Sequence, residues 1–199
     1  RRDNEGRLNA DGEIALQYYT GFASTRNQDY SWNDAQHYSV DAFTEGTLAM
    51  MVGYAHQSKV IRSKAPRLNF AVAPMPQASA TDIRNFANYW GVAVTSKSLH
   101  SAESWKFVNY LASKEGITNY LNATSRPSAR RDLIDLQRSD SDLGVFAVQA
   151  LSARSWFQAD NVVIEGIFAD MIDDVNFNRA SIPDAISRAE SRVTVLMQR

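Results

Sequence analysis

Two kinds of apolar pattern alternate along this 199-residue chain, and their alternation restricts the fold more than any other feature. Short apolar runs bracketed by glycine or proline are typical of buried strands, whereas apolar residues spaced three and four apart are typical of amphipathic helices. The short runs predict strands over residues 47–53, 68–73 and 92–95, and the polar residues 77–88 are predicted to form a loop. Because helical spacing covers most of the remainder, the sequence predicts an α/β or α+β chain in which helices dominate.

The first predicted helix covers about residues 11–24. Its apolar face, which we expect to be buried, is formed by Ala15, Tyr18, Tyr19 and Phe22. A second helix is predicted to start near Asp34 and to stop before Gly46, because glycine suits the left-handed position that follows a helix.

Serine marks the start of three further predicted helices. A serine side chain at the N-cap accepts a hydrogen bond from a free backbone N–H of the first turn. The predicted caps are Ser101, Ser113 and Ser181, and Pro183 suits the first turn of the last helix. Two more helices are predicted over about 143–151 and 164–175.

Composition excludes several classes of protein. The chain carries 21 basic and 22 acidic residues, so it has no net positive charge with which to attract nucleic acid or an anionic membrane. It has no cysteine, which excludes disulfides and zinc–cysteine sites. No apolar run reaches the roughly 20 residues that cross a bilayer, and as given the chain is expected neither to span a membrane nor to carry an export signal.

No motif for catalysis or for a cofactor is evident. His37, His56 and His100 lie far apart and lack metal-ligand spacing, and the phosphate-binding and nucleophile-elbow motifs are absent. The acidic pairs Asp140/Asp142 and Asp173/Asp174 fit solvated surfaces better than a general acid and base, which need environments that separate their pKa values. We therefore predict no metal, no cofactor and no catalytic residue.

Large aromatic residues lie at predicted element boundaries. Tyr54 follows a predicted strand, Tyr89 and Trp90 precede another, and Trp156 lies between two predicted helices. Rings at strand ends and loops suit a carbohydrate, because the C–H faces of a sugar stack on a flat ring while its hydroxyls need polar partners. The alternative is that each ring closes one edge of the hydrophobic core.

The order of these features resembles the C-terminal half of bacterial family 1 extracellular solute-binding proteins, the maltose-binding-protein-like sugar-binding components of ABC importers. Each matching motif is weak alone, and their order and spacing make the resemblance more specific. The matching segments are Ala42 to Tyr54, Ala65 to Pro76, Trp90 to Ser98, Ala102 to Leu111, Ser113 to Gly116, Arg126-Pro127, and Ser181 to Leu196.

The resemblance implies a periplasmic-binding-protein-like type II fold, an α/β and helix-rich architecture built from two lobes. Residues 1–76 would form the first part of the C-terminal lobe and residues 126–199 its helical part. Residues 77–125 would be a strand–helix–helix excursion belonging to the N-terminal lobe. Without that lobe, the excursion is expected to expose Trp105, Val108, Leu111 and Ile117, and therefore to pair with another copy, to swap, or to fold back.

The resemblance also suggests ligand-binding residues. Tyr54 matches the aromatic position that stacks on sugar in relatives, although the usual Gly-Pro-Trp is replaced here, and His56 would supply a polar contact. The loop before the next strand corresponds to Tyr89 and Trp90. The remaining candidates are Arg126, in the matching Arg-Pro pair, and Trp156, an aromatic residue of the C-terminal helical region.

The implied function is non-catalytic solute binding by hinge closure, outside the cytoplasm, with a sugar as the expected ligand and importer membrane subunits as partners. The longer protein would be lipid-anchored, and the present chain would be a C-terminal fragment of it. Two other functions stay open: a structural or interaction fragment that binds no ligand, and a glycan-active enzyme whose acids are not evident in the sequence.

Overall fold

A computed structural model of the chain describes residues 10–198. Over these residues the chain is rich in helix, as predicted, and contains little sheet. In chain order the elements are α1 (Ala10–Gly21), α2 (Ser39–Thr44), α3 (Ala55–Lys64), β1 (Asn85–Phe86), α4 (Ser101–Ala112), α5 (Lys114–Thr124), α6 (Arg131–Gln137), α7 (Gly144–Gln149), the 3-10 turn Ala150–Ser152, β2 (Ala153–Arg154), α8 (Asn161–Asn176) and α9 (Ile182–Met197). Residues 1–9, at the start of the predicted segment 1–76, and Arg199, at the end of the predicted segment 126–199, lie outside the described residues.

The described chain divides into two compact units. One contains residues 10–37 and 156–198, and the other is Tyr38–Ser155. The first unit contains α1, α8 and α9, and the second contains the remaining elements. The division into lobes over 1–76, 77–125 and 126–199 stays a prediction.

The first unit is a three-helix assembly in which α8 and α9 pack along each other and α1 packs against both. Ala185 and Ala189 lie one turn apart on α9, and both are buried. Small side chains at this spacing let two helices approach closely. Ile164 and Ile167 of α8 and Leu16 of α1 complete the buried apolar set.

Helix α1 buries a different face from the predicted one. Leu16 and Thr20 are buried, whereas Tyr18 is 71% exposed and Tyr19 is also exposed. The Thr20 hydroxyl is satisfied because it donates to the carbonyl of Leu16 at 2.8 Å. The prediction was wrong because α1 is apolar on two sides, and residue spacing cannot indicate which side meets the neighbouring helices.

The first turn of α8 is capped by Asp160. Its Oδ1 accepts hydrogen bonds from the backbone N–H groups of Val162 and Val163 at 3.0 and 3.1 Å. Replacing Asp160 by alanine leaves both donors without this partner and is expected to lower the free energy of unfolding by about 1 kcal/mol. Asp160→Asn, which retains the acceptor oxygen, should change it far less. Urea denaturation followed by circular dichroism measures both variants, and equal losses in the two would contradict the cap.

The second unit is also mainly helical. Ser113 ends α4 and caps α5 as predicted, since its Oγ accepts from the Gly116 N–H at 3.1 Å. Gly46 follows α2 with a φ of 78°, also as predicted, although α2 begins later than expected. Helix α4 does begin at Ser101, but the N-cap residue is His100. The buried apolar residues of this unit are Val40, Ala42, Ile61, Leu133, Ile134 and Ala147.

The three predicted strands are not strands in the described chain. Residues 47–53, 68–73 and 92–95 have no strand assignment, and the predicted loop 77–88 instead contains β1. A strand forms only where the backbone N–H and C=O groups of a neighbouring strand pair with its own. An apolar pattern indicates that a segment tends to be buried, but it does not indicate whether a pairing strand is present. Along residues 10–198 the only ladder is the short parallel pair of β1 and β2, in which Asn85 pairs with Ala153 and Phe86 with Arg154.

Helices α4 and α5 form a packed pair that leaves aromatic rings exposed. None of the α4 residues is fully buried, and Trp105 is 49% exposed. Phe107 and Tyr110 are also exposed, whereas Val108, Leu111 and Ile117 are partly covered. In this segment the exposed apolar surface is therefore contributed mainly by aromatic rings, and of the four residues predicted to be exposed only Trp105 is.

An arginine joins α3 to the loop before α7. The Arg62 Nε and Nη2 groups donate to the two carboxylate oxygens of Asp142. The Arg62 guanidinium also lies 4.4 Å above the centre of the Phe70 ring, which in turn meets Phe43 edge to face. One side chain thus holds two segments that are 80 residues apart in the sequence.

This contact should make the free energy of unfolding depend on pH in the acidic range. The hydrogen bonds from Arg62 hold the pKa of the Asp142 carboxyl below its ordinary value, although partial burial acts in the opposite direction. A depressed pKa contributes stability above the unfolded value of about 3.9, and that stability is lost as the pH falls through the folded value. Between about pH 6 and about pH 3, the wild-type chain is therefore expected to lose more stability than Asp142→Asn.

Urea denaturation at the two pH values measures this difference. In an Arg62→Gln background, Asp142→Asn should no longer alter the acid dependence, because the donor is gone. An identical acid dependence in the wild type and Asp142→Asn would contradict the proposed linkage.

Candidate functional site

The predicted ligand residues fall into separate groups. Tyr54, His56, Tyr89, Trp90 and Arg126 lie in the unit Tyr38–Ser155. Trp156 belongs to the other unit, where it precedes α8 and is exposed.

Tyr54 and His56 form a ring pair at the start of α3. Tyr54 is the N-cap residue, and its backbone N–H donates to Gln57 Oε1 at 2.8 Å. The two rings are nearly parallel, with an interplanar angle of 18° and centroids 6.2 Å apart. Both side chains are exposed. Tyr54 therefore lies at a helix start rather than at the predicted strand end, with its extended N-cap backbone leading into the first turn that contains His56.

Arg126 is exposed on a backbone that is held at two points. Gln137 of α6 donates from Nε2 to the carbonyl of Arg126 at 2.8 Å and accepts at Oε1 from the N–H of Ser128 at 2.8 Å. Ser128 is buried. The guanidinium of Arg126 thus extends from a segment that a single glutamine keeps in place.

Tyr89 and Trp90 follow β1 beside a group of hydrogen-bonded polar side chains. We call Asn85, Tyr89, Ser152 and Ser155 the bridge cluster. Asn85 Nδ2 donates to Ser152 Oγ at 2.8 Å, and the hydroxyls of Tyr89 and Ser155 are 2.8 Å apart. These bonds join segments 66 or 67 residues apart, next to the parallel pair of β1 and β2.

A second set of contacts supports the bridge cluster. Gln77 Nε2 lies 3.4 Å from Asn85 Oδ1, and Gln77 Oε1 accepts from the Arg84 N–H at 2.7 Å. The backbone N–H of Met75 donates to Gln149 Oε1 at 2.7 Å. Neutral amides and hydroxyls therefore hold this region together, and each is oriented by a partner.

The two rings next to the cluster face solvent. Trp90 is 90% exposed and Tyr89 is 69% exposed. A ring that closed the edge of the core would be largely covered, so that alternative does not describe Trp90. Exposed flat rings beside fixed amides and hydroxyls can stack on and hydrogen-bond to an uncharged, hydroxyl-rich molecule.

Among the described residues, hydrogen bonds and ring contacts join these candidates only within the groups. Tyr54 pairs with His56, and Tyr89 pairs with Ser155. Sequence reasoning missed Asn85, Ser152 and Ser155. The polar segment around Asn85 has no periodic signal, and its partners lie too far along the chain for spacing to reveal them.

Several members of the acidic pairs considered in the sequence have structural partners. Asp140 Oδ1 accepts from the N–H groups of Asp142 and Leu143, Asp142 pairs with Arg62, and Asp174 pairs with Arg188. Beside the bridge, hydrogen bonds from Arg84 lower the pKa of the Asp82 carboxyl, with smaller contributions from the charges of Arg84 and Arg154. Across residues 10–198 no group of three His, Asp or Glu side chains could hold a metal ion.

The described part of the chain is a helix-rich protein with exposed aromatic rings beside polar side chains. Comparison with protein families makes the identification more specific, because the family described as bacterial extracellular solute-binding protein matches residues 3–147. The chain belongs to this family, so the resemblance found in the sequence is confirmed at that level. Comparison with curated proteins gives no match.

Membership in this family gives the chain an extracytoplasmic location and solute binding as its general function. Of the helices within residues 10–198, none combines the length and the apolar character needed to cross a membrane.

Proposed function

We propose that this chain binds a carbohydrate for an ABC importer and releases it chemically unchanged. The observation that carries the proposal is the pair of exposed rings, Tyr89 and Trp90, beside the neutral bridge cluster. Stacking supplies apolar contact to the C–H face of a sugar, and oriented amides and hydroxyls meet its hydroxyl groups. A solute held at micromolar affinity supplies about 8 kcal/mol of binding free energy.

Two further groups belong to the proposed binding residues. Tyr54 and His56 offer a flat face with a polar tip at the start of α3, and Trp156 offers another ring before α8. Arg126 adds a cation from a fixed backbone. In the proposed mechanism a second lobe closes over the solute. Only contacts that are stronger in the closed state can favour closure.

The lobe arrangement is part of the same proposal. Residues 1–76 and 126–199 would form the C-terminal lobe of a longer, lipid-anchored protein, and 77–125 would belong to its other lobe. The exposed rings of α4 support a partner for that segment, since exposed apolar patches of this kind are commonly interaction sites. In the present chain, the partner would be a second copy, paired or swapped through 77–125.

The same exposed rings favour one alternative, a fragment that interacts with protein and binds no solute. A glycan-active enzyme is less well supported, because the acidic pairs Asp140/Asp142 and Asp173/Asp174 include residues bound to arginine or to backbone N–H groups.

Calorimetric titration with a panel of mono- and oligosaccharides separates these functions. We expect saturable binding of at least one sugar, and chromatography of the recovered ligand should return it intact. Absence of binding across the panel would support the interaction fragment. Accumulation of a cleaved product would support the enzyme and overturn the proposal.

A further inference from the structure

Five residues next to β1 and β2 are joined in a closed circuit of hydrogen bonds. The N–H of Met75 donates to Gln149 Oε1 at 2.7 Å, and the Gln149 carbonyl accepts from Ser152 Oγ at 3.2 Å. Ser152 Oγ accepts from Asn85 Nδ2 at 2.8 Å, and Asn85 Oδ1 lies 3.4 Å from Gln77 Nε2. Gln77 Nε2 also donates to the Met75 carbonyl at 3.1 Å, which closes the circuit. We call these five residues the amide circuit.

Backbone groups fix the direction of the bonds in the amide circuit. A backbone N–H can only donate, so the N–H groups of Met75 and Arg84 each require an amide oxygen opposite them. Gln77 gives its oxygen to Arg84 and therefore turns its Nε2 group toward Asn85. Asn85 in turn presents its own amide N–H to Ser152. Reversing the amide of Gln77 or of Asn85 would place two N–H donors against each other.

Gln149 connects the amide circuit to the packed part of the unit. It is the last residue of α7, which packs against α6 and buries Ala147. The other side of the circuit lies in residues 65–100, where β1 is the only helix or strand in this described part of the chain. The segment that carries Tyr89 and Trp90 therefore depends on tertiary contacts to hold its position, and Gln149 supplies one of them.

We propose that Gln149 is a positioning residue for solute binding and acts through the amide circuit. This inference rests on the proposed carbohydrate site and deepens it. Gln149 Oε1 holds the backbone at Met75, and the circuit transmits this constraint to Asn85, four residues before Tyr89. Without the Gln149 acceptor, the rings of Tyr89 and Trp90 lose part of the constraint that keeps them beside the bridge cluster. A solute then has to order these rings when it binds, which lowers its affinity.

Three variants of the full chain separate positioning from stability. Gln149→Met keeps a side chain of similar length but removes its acceptor, and should lower the affinity for the tightest sugar of the panel by about three- to tenfold. Its urea midpoint should stay close to that of wild type, because every residue of the circuit is at least partly exposed. Gln149→Glu retains an oxygen for the Met75 N–H and should bind within about twofold of wild type. The matched control Gln36→Met removes a glutamine that accepts from the Asn33 N–H at 3.0 Å in the other unit, and should leave the affinity unchanged.

Gln77→Met breaks the amide circuit at a different residue and provides a second test. Calorimetric titration should show a similar loss of affinity, and combining Gln77→Met with Gln149→Met should add little to it, because both interrupt one connected network. Wild-type affinity in Gln149→Met, an equal loss in Gln149→Glu, or simple addition of the two losses would overturn the inference and leave carbohydrate binding intact. Failure of the wild-type chain to bind any sugar of the panel would overturn both proposals.

Discussion

Replacing Ile167 by alanine is expected to lower the free energy of unfolding by about 2–5 kcal/mol, among the largest effects of any single substitution in this chain. Ile167 is 2% exposed, in the middle of α8 where this helix packs against α9. Its removal deletes buried apolar surface and leaves a cavity that helices of this length cannot close without moving. Urea denaturation followed by circular dichroism measures the loss.

Two further variants test whether the lost stability comes from lost packing at a buried position. Ile167→Val removes a single methylene group and should cost about 0.5–1.5 kcal/mol. Val162→Ala, at an exposed position in the first turn of the same helix, should stay within about 0.5 kcal/mol of wild type. If Ile167→Ala were no more destabilising than Val162→Ala, the buried face assigned to α8 would be incorrect.

Replacing Trp90 by alanine is expected to reduce carbohydrate affinity by about tenfold to a hundredfold. The side chain is almost fully exposed in the unliganded chain, so its truncation leaves no cavity and should hardly alter stability. It removes the largest ring next to the bridge cluster, and truncating a central tryptophan commonly costs about 2 kcal/mol of binding free energy. Calorimetric titration with the tightest sugar of the panel measures the change.

Trp105→Ala is the matched control for this prediction. Trp105 is another exposed tryptophan of the same unit, but it lies on α4, outside the proposed binding residues. Its removal should change sugar affinity by less than about twofold. Equal losses of affinity in the two variants would mean that the rings act through general properties of the surface and not through a site at the bridge.

Helix ends were predictable because their signals are local. Ser113 and Ser181 cap the helices that follow them, and Gly46 adopts the left-handed conformation, since each depends on backbone groups within a few residues. Helix α3 was missed because Val60 and Ile61 are its only large apolar residues and give no period. Helix α6 lies in a region that was predicted to be mainly helical, but its bounds could not be predicted because its seven residues span only about two turns.

Features that depend on a distant partner were not predictable from one sequence. The segments 47–53, 68–73 and 92–95 have strand character, but no neighbouring strand pairs with them in the described chain. Helix α1 has two apolar sides, and only the positions of α8 and α9 determine that Leu16 rather than Tyr18 is buried.

The candidate site also combines features that local sequence predicts with features that depend on residues distant in the sequence. The exposed rings could be named from the sequence because aromatic residues at element boundaries are visible there. The polar partners Asn85, Ser152 and Ser155 could not, since they meet only when segments more than 60 residues apart come together.

Fluorine NMR of the chain labelled with 5-fluorotryptophan tests the central claim most directly. The four tryptophans give four resonances, and Trp90→Phe and Trp105→Phe identify two of them. On addition of a sugar that binds by calorimetry, the Trp90 resonance is expected to shift in a saturable manner with the same affinity, while the Trp105 resonance stays in place. Saturable binding that leaves the Trp90 resonance unmoved would contradict a carbohydrate site at the bridge cluster.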